Sequence, residues 1–204
     1  MLYVKIKGYL FLAKRNALKN SRLSGWVSFA LAYANRYENG ITLPFRFDQR
    51  TTMNIVLNYR VNNWLEVGVR WQYGSGFPFT EPKGIKPRVI LEDVDSDGIP
   101  ETPVIATRSG TGGVNGEEEI IYDVFLGDKT RNARIPPYHR LDIRLNAFAD
   151  YWGLEWVFYL DVINVYNRSN IVNYDYFVTK DLTLGREATS MFPILPTLGF
   201  SVKF

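Results

Sequence analysis

From Leu141 onward the chain alternates between apolar and polar positions. Leu141, Ile143, Leu145 and Ala147 fall on one side, and Arg140, Asp142, Arg144 and Asn146 on the other. Successive side chains of a strand point to opposite faces, so a period of two predicts a strand with one apolar and one charged face. The period recurs at Leu154, Trp156, Phe158, Leu160 and Val162, opposed by Glu155, Tyr159 and Asp161, with Val157 and Ile163 out of pattern. It returns at Leu65, Val67, Val69, Trp71 and Tyr73 against Glu66, Gly68, Arg70 and Gln72. Met53, Ile55, Leu57 and Tyr59 oppose Thr52, Asn54, Asn58 and Arg60, while Val27, Phe29, Leu31 and Tyr33 oppose the small residues Ser28, Ala30, Ala32 and Ala34. Residues 2–14 alternate more weakly, and Leu198, Phe200, Val202 and Phe204 against Thr197, Gly199, Ser201 and Lys203 form a strong last strand.

Seven strands of roughly ten to fourteen residues follow from this pattern. Soluble strands run about 5–6 residues, whereas a tilted strand crossing a bilayer needs about 9–11. Short connections fall near 15–21, 61–63 and 150–153, and long ones at 36–48, 75–137 and 168–194. Short turns on one side and long loops on the other is the layout of an outer-membrane barrel, with the short turns periplasmic. The expected fold class is therefore all-β: an antiparallel up-and-down transmembrane β-barrel segment of about seven meandering strands. If Phe204 ends at the periplasm, the strands run down, up, down, up, down, up, down, and residues 75–137 form a long extracellular loop inserted between strands. Trp64, Trp152 and Trp156 lie near the short turns, and Tyr33, Trp71, Tyr73 and Tyr166 near the long loops, as two interfacial girdles would require.

Composition narrows the classes further. The chain of 204 residues is 15% aromatic and 22% charged, too apolar for a disordered chain, and it has no cysteine, which excludes disulfides, zinc thiolates and a Cys nucleophile. The net charge of +3 is spread among acids without a basic stripe, so no nucleic-acid partner is expected. No apolar run is long enough for a transmembrane helix, and Lys5, Lys7, Lys14 and Arg15 break up the start as a signal peptide. An exported barrel that starts this way is expected to be a fragment, or to have a wrongly placed start codon.

Five segments carry a family resemblance. They are Gly74-Ser75-Gly76-Phe77-Pro78-Phe79-Thr80; Asn132-Ala133-Arg134-Ile135-Pro136-Pro137-Tyr138-His139-Arg140-Leu141-Asp142; Leu160-Asp161-Val162-Ile163-Asn164-Val165-Tyr166-Asn167; Phe47-Asp48-Gln49-Arg50, with Thr51 where His is usual; and the ending from Pro193 to Phe204. In this order they resemble the closing strands of TonB-dependent outer-membrane receptors. The resemblance implies residues 1–204 as the C-terminal part of the barrel of a receptor that imports a scarce nutrient, such as a siderophore or glycan. It implies the outer-membrane bilayer as solvent, and a small-molecule or glycan ligand bound by the extracellular loops. It also implies an N-terminal plug and early strands absent from this sequence, through which TonB would act, and a terminal Phe204 read by the barrel-assembly machinery.

One local motif points to a metal. Asp93-Val94-Asp95-Ser96-Asp97-Gly98-Ile99-Pro100-Glu101 has Asp at positions one, three and five and Gly at six, as in the first half of an EF-hand calcium loop. Asp93, Asp95, Asp97, the Ile99 carbonyl and Glu101 are the candidate calcium ligands; an acidic solvated loop tip is the plain alternative. Position twelve is Val104, so the bidentate Glu would have to be replaced by Glu117, Glu118, Glu119 or Asp123. His139, the one histidine, is expected to be a rim residue without chemistry, and residues 108–119 a flexible loop. The charges facing the lumen are expected to pair with one another or with a plug. No catalytic set or phosphate loop is present, so no enzyme is expected. Two other functions fit the pattern: a non-transporting outer-membrane barrel, such as an adhesin or structural protein, and a soluble calcium-dependent carbohydrate-binding β-sandwich. A sandwich would bury the apolar faces that a barrel leaves as an uncovered belt.

Overall fold

The computed structural model describes residues 2–16, 21–38, 40–93, 99–100, 102–109, 118–127 and 131–204. Within them every regular element is a β-strand. In chain order these are β1 (Tyr3–Arg15), β2 (Leu23–Glu38), β3 (Ile41–Pro44), β4 (Thr51–Arg60), β5 (Leu65–Gly74), β6 (Pro78–Phe79), β7 (Gly84–Pro87), β8 (Val89–Glu92) and β9 (Thr102–Ile105). They continue as β10 (Thr107–Ser109), β11 (Glu118–Ile120), β12 (Tyr122–Phe125), β13 (Ala133–Arg134), β14 (Tyr138–Tyr151), β15 (Leu154–Ile163), β16 (Ile171–Val178), β17 (Leu184–Ser190) and β18 (Leu195–Lys203). The chain divides into two compact units, one of Met1–Phe79, Arg131–Asn173 and Thr189–Phe204, the other of Thr80–Thr130 and Tyr174–Ala188.

The first unit is built on one antiparallel sheet in the order β1-β2-β4-β5-β14-β15-β18. These are the seven strands read from the alternation, each hydrogen-bonded to the long strand before it. An eighth strand, β3, was not anticipated: residues 36–48 are not simply a long connection. β2 runs on to Glu38 and β3 folds back on its far end, pairing Asn35 with Pro44, while β4 pairs the near end from Leu23 to Leu31. Two of the short connections are tight turns. Trp152 and Gly153 both have positive φ (55° and 74°) between the paired residues Tyr151 and Leu154, the two-residue hairpin geometry whose twist matches that of the strands. At the β4–β5 turn the Asn62 side-chain oxygen accepts from the amides of Trp64 (3.0 Å) and Leu65 (2.9 Å), so the side chain stands in for a backbone turn.

Register keeps like with like across the whole sheet. Directly paired residues share a face. One row reads Leu23, Tyr59, Val67, Leu145, Leu160 and Leu198 across six strands. A row on the opposite face reads Ser24, Asn58, Gly68, Arg144, Asp161 and Thr197. That second face is hydrogen-bonded sideways: Arg140 donates to Gln72 (3.4 Å), Gln72 to Asn54 (3.1 Å) and Asn54 to Ser28 (3.4 Å). Arg144 pairs with Asp161 (3.2 Å) and lies 4.4 Å from the Tyr159 ring, which covers Gly199 on the next strand. Arg140 pairs with Asp142 at 2.9 Å. Two ion pairs of this face, Arg140–Asp142 and Arg144–Asp161, thus lie within the sheet.

The apolar face carries side chains open to the surroundings. Phe158 is 48% exposed, Phe200 64% and Leu198 82%, and no large apolar side chain among the described residues is fully buried. Trp156 and Phe158 stack with ring centroids 6.0 Å apart and Phe200 leans on both, which leaves a continuous aromatic surface. β1 departs from the rule: Ile6, Leu10 and Leu12 put apolar groups on the otherwise polar face, and all are exposed.

Residues 75–137, expected from the strand spacing to form a long loop, carry short paired strands, and within 108–119 Arg108 and Glu119 are strand partners in β10 and β11. In the second unit β7 pairs β12, β8 pairs β9 and β10 pairs β11. The two hairpins β8–β9 and β10–β11 and the paired strands β7 and β12 meet in a closed ring of backbone hydrogen bonds. The Arg88 amide donates to the Ile121 carbonyl (2.8 Å), Ala106 to Arg88 (2.9 Å) and Ile121 to Ala106 (2.9 Å). Ala106, at the centre, is buried, and Arg88 clamps Asp123 with Nε and Nη2 (3.0 and 2.6 Å), which holds that carboxyl below its ordinary range. Likewise 168–194 holds the β16–β17 hairpin, closed by Thr179 and Thr183 through their hydroxyls at 2.7 Å.

Ala106→Pro deletes one donor of the ring and leaves the Arg88 carbonyl unsatisfied, a loss of about 1–3 kcal/mol. Limited proteolysis is expected to cut faster within 80–130 while cleavage in the seven-stranded sheet stays unchanged.

Candidate functional site

The long connections gather at one end of the sheet in the first unit, and there three of the segments singled out in the sequence come together. The chain leaving β3 turns sharply, with the Asp48 amide donating to the Phe45 carbonyl (2.8 Å) and Gln49 to Phe47 (2.8 Å). This drives the Asp48 side chain inward until only 2% of it is exposed. Its carboxylate accepts from the Ala34 amide of β2 (2.7 Å) and from Arg50 (3.4 Å), and it forms an ion pair with Arg134 of β13. Arg134 reaches further, donating to the carbonyls of Asp48 (2.6 Å) and Gly76 (2.9 Å). One guanidinium therefore ties the 45–50 turn, the 74–80 segment and the 131–136 segment together. Arg131 adds a bond to the Pro44 carbonyl.

Gly76 is required by this convergence, since a Cβ there would overlap the Ile135 carbonyl, whereas one on Gly74 would meet the end of the Gln49 side chain. Between them the Ser75 amide donates to the Thr51 carbonyl (2.8 Å), and the Ser75 hydroxyl accepts from the Thr51 amide (3.1 Å). The Gln49 side chain donates to the Ser75 carbonyl at 3.1 Å.

A second knot is made by three asparagines spaced by three. Asn164 and Asn167 sit at φ 57° and 51°, a left-handed conformation that asparagine tolerates better than most residues. Asn164 is 1% exposed; its amide nitrogen donates to the carbonyls of Arg168 (3.0 Å) and Phe192 (3.2 Å), and its own backbone N–H donates to Asp142 (3.0 Å). The Asn167 side chain accepts from the Ile194 amide at 2.9 Å. Asn170 accepts from the His139 amide (3.1 Å) and donates to the His139 carbonyl (3.0 Å), replacing a strand partner beyond the end of β15. His139 itself contacts the Tyr166 hydroxyl at 2.7 Å through Nδ1.

The two knots flank a cavity of about 350 Å³. Its walls are Phe77, Ile135, Pro136, Ile171, Val172 and Met191. Three polar residues reach it, Gln49, Ser75 and Tyr138, and no charged side chain does.

The calcium candidates fall elsewhere, on the connection between the paired residues Glu92 of β8 and Thr102 of β9. Asp95, Asp97 and Glu101 lie outside the described residues, while Asp93 and Ile99 lie within them. Of the carboxylates considered as replacement ligands, Glu119 is engaged by Arg108 (2.8 Å) and Asp123 by Arg88. Among the described residues no cluster of three His, Asp or Glu side chains is arranged to hold a metal. Phe204 follows the last residue of β18 and is fully exposed. Asp48, Arg134 and Asn170 were not picked out as individual residues in the sequence, though Asp48 and Arg134 stand in the segments quoted above for the resemblance.

Burial alone would oppose ionisation of Asp48. The Ala34 amide, then Arg134 and Arg50, outweigh it and hold the carboxyl below its ordinary 3.8. A lowered folded pKa stabilises the fold fully above the ordinary value, and this contribution is lost as pH falls through the folded one. Asp48→Asn is expected to cost about 1.5–3 kcal/mol at neutral pH, the range for a hydrogen bond to a charged group. Hydrogen exchange at the Ala34 amide should speed up in the variant. Acidification should speed it up in the wild type, beyond the intrinsic pH dependence of exchange, but not further in Asp48→Asn.

Comparison with protein-family models, with curated proteins and with solved structures returned no match.

Proposed function

We propose that this chain is a sector of the wall of an outer-membrane β-barrel, the closing strands of a TonB-dependent receptor that imports a scarce nutrient. The observation that carries the reading is the sheet's division into two faces. Register holds leucines and aromatics on one face from β2 to β18, uncovered, while the other face is a wet network of paired charges and amides. Monomeric soluble proteins rarely leave so broad an apolar patch exposed. Strand length supports the same reading: the seven long strands have 9 to 16 residues, against about 9–11 needed to cross a bilayer. The tight turns at 61–64 and 152–153 lie at one end and the long connections at the other, which is the periplasmic and extracellular layout of such barrels.

β1 and β18 stand at the two ends of the strand order, each with a long strand on one side only. Open edges in lipid leave backbone groups unsatisfied, so a complete wall needs further strands. In this reading they, the plug and the TonB-coupling segment come from other sequence, and the ligand meets the receptor at the end bearing the long connections. The soluble β-sandwich loses ground here, because it would have to bury the face that Phe158, Leu198 and Phe200 leave open.

Leu145 and Asn146 are neighbours on β14 that point to opposite faces. Leu145→Arg puts a charge in the lipid belt and is expected to cost about 2–4 kcal/mol of folding stability in bilayers, with Asn146→Arg nearly neutral. Urea titration of the complete receptor folded into vesicles reads both. Equal stability of the two variants rules out the membrane wall.

A further inference from the structure

The cavity between the two knots has the make-up of a small-molecule site: apolar walls, a few aimed polar atoms and a rigid frame. Its frame is fixed on every side. Gly76 packs against the Ile135 backbone on one wall, Arg134 clamps that wall to Asp48, and Asn170 fixes both His139 and Met191, whose amide donates to the Asn170 carbonyl at 2.8 Å. The pocket therefore does not depend on a long flexible loop.

Its polar atoms define what fits. One N–H of the Gln49 carboxamide donates to the Ser75 carbonyl, and the Ser75 hydroxyl accepts from the Thr51 amide and keeps its own proton to donate. The Gln49 side-chain oxygen and the Tyr138 hydroxyl are used by no other described residue. One is an acceptor and the other both donor and acceptor. With no charged group in the lining, a charged ligand group would be desolvated without a partner and rejected. Phe77, Pro136 and Met191 offer flat or polarisable faces suited to a ring, and thioether sulfur packs favourably against aromatic edges.

We infer that this pocket, framed by Gln49, Phe77, Pro136, Tyr138 and Met191, binds an uncharged aromatic ring bearing a hydroxyl, with the hydroxyl bonded between Gln49 and Tyr138. The biological role of the pocket rests on the receptor reading, but binding is measured without transport. A negative result therefore removes the pocket and leaves the membrane wall standing.

The experiment is saturation-transfer NMR on the complete protein in lipid nanodiscs, with 4-methylphenol as the probe and 4-methylbenzoate as its charged counterpart. The wild type is expected to bind 4-methylphenol at least about tenfold better than 4-methylbenzoate, a difference near 1.4 kcal/mol. Tyr138→Phe removes one hydrogen bond and is expected to weaken 4-methylphenol about fivefold. Met191→Trp and Val172→Trp, at positions nearly half exposed, fill the cavity and should abolish the signal above that of empty nanodiscs. Unchanged 4-methylphenol binding in both Trp variants, or equal binding of the two probes by the wild type, overturns the assignment. If the Trp variants lose their circular-dichroism signature, the comparison of the two probes on the wild type decides alone.

Discussion

Cross-strand register is the constraint from which the rest of the sheet follows. With a side-chain period of two, a slip of one residue between any neighbouring pair would carry Leu145 to the face of Arg144 and Asp161. The structure pins the register twice over. The Trp152–Gly153 turn sets β14 against β15 with no slack, and the amide chain from Arg140 through Gln72 and Asn54 to Ser28 forms only if four strands are aligned together. The apolar rows are then consequences of the alignment as much as its cause. Gly68 and Gly199 show the same coupling on the polar face, since each leaves room for a side chain of the neighbouring strand, Asn58 over one and Tyr159 over the other.

At the end with long connections the backbone must leave the sheet without stranding its polar groups. Two solutions stand side by side. Around Asp48 the answer is ionic: one buried carboxylate gathers an amide and two guanidinium groups, and Arg134 spends its remaining donors on carbonyls. Around Asn164 and Asn170 it is neutral, with carboxamides copying the peptide group in both directions. A buried ion pair is costly to form and rigid once its hydrogen bonds are complete. Carboxamides avoid the desolvation cost of charge. The cavity between the two knots is left apolar because nearly every polar atom near it is already engaged.

The seven long strands were legible because a strand's alternation is a local property, visible in residues such as Leu141 to Ala147 without knowledge of what they pair with. The short strands were not. β10 and β11 hold three residues each and are separated by a glycine-rich stretch, and the residues that flank them, Ala106 and Ile121, close a junction with Arg88, which lies well before them in sequence. β3 was missed for a related reason, since four residues ending in Pro44 carry too little periodicity to separate a strand from a loop. The site was half visible. The segments around Asp48, Gly76 and Arg134 stood out as patterns, yet nothing in their order along the chain indicates that one guanidinium joins all three. The acidic run from Asp93 stands out because its spacing is local, and in the chain it falls within the second unit.

The ring of three hydrogen bonds joining Arg88, Ala106 and Ile121 has a consequence for how such a unit can change over generations. The β8–β9 and β10–β11 hairpins each leave the ring and return to it within their own stretch of chain, and each of the three ring residues contributes one donor and one acceptor to the closure. The demands on the junction are met by the main chain of three residues, whatever lies beyond. An insertion at the tip of β8–β9 or β10–β11 therefore lengthens one arm without altering the exit geometry of the others. The architecture separates a fixed hub from replaceable arms, so the outer surface can be rewritten by lineage while the hub that carries it is inherited intact.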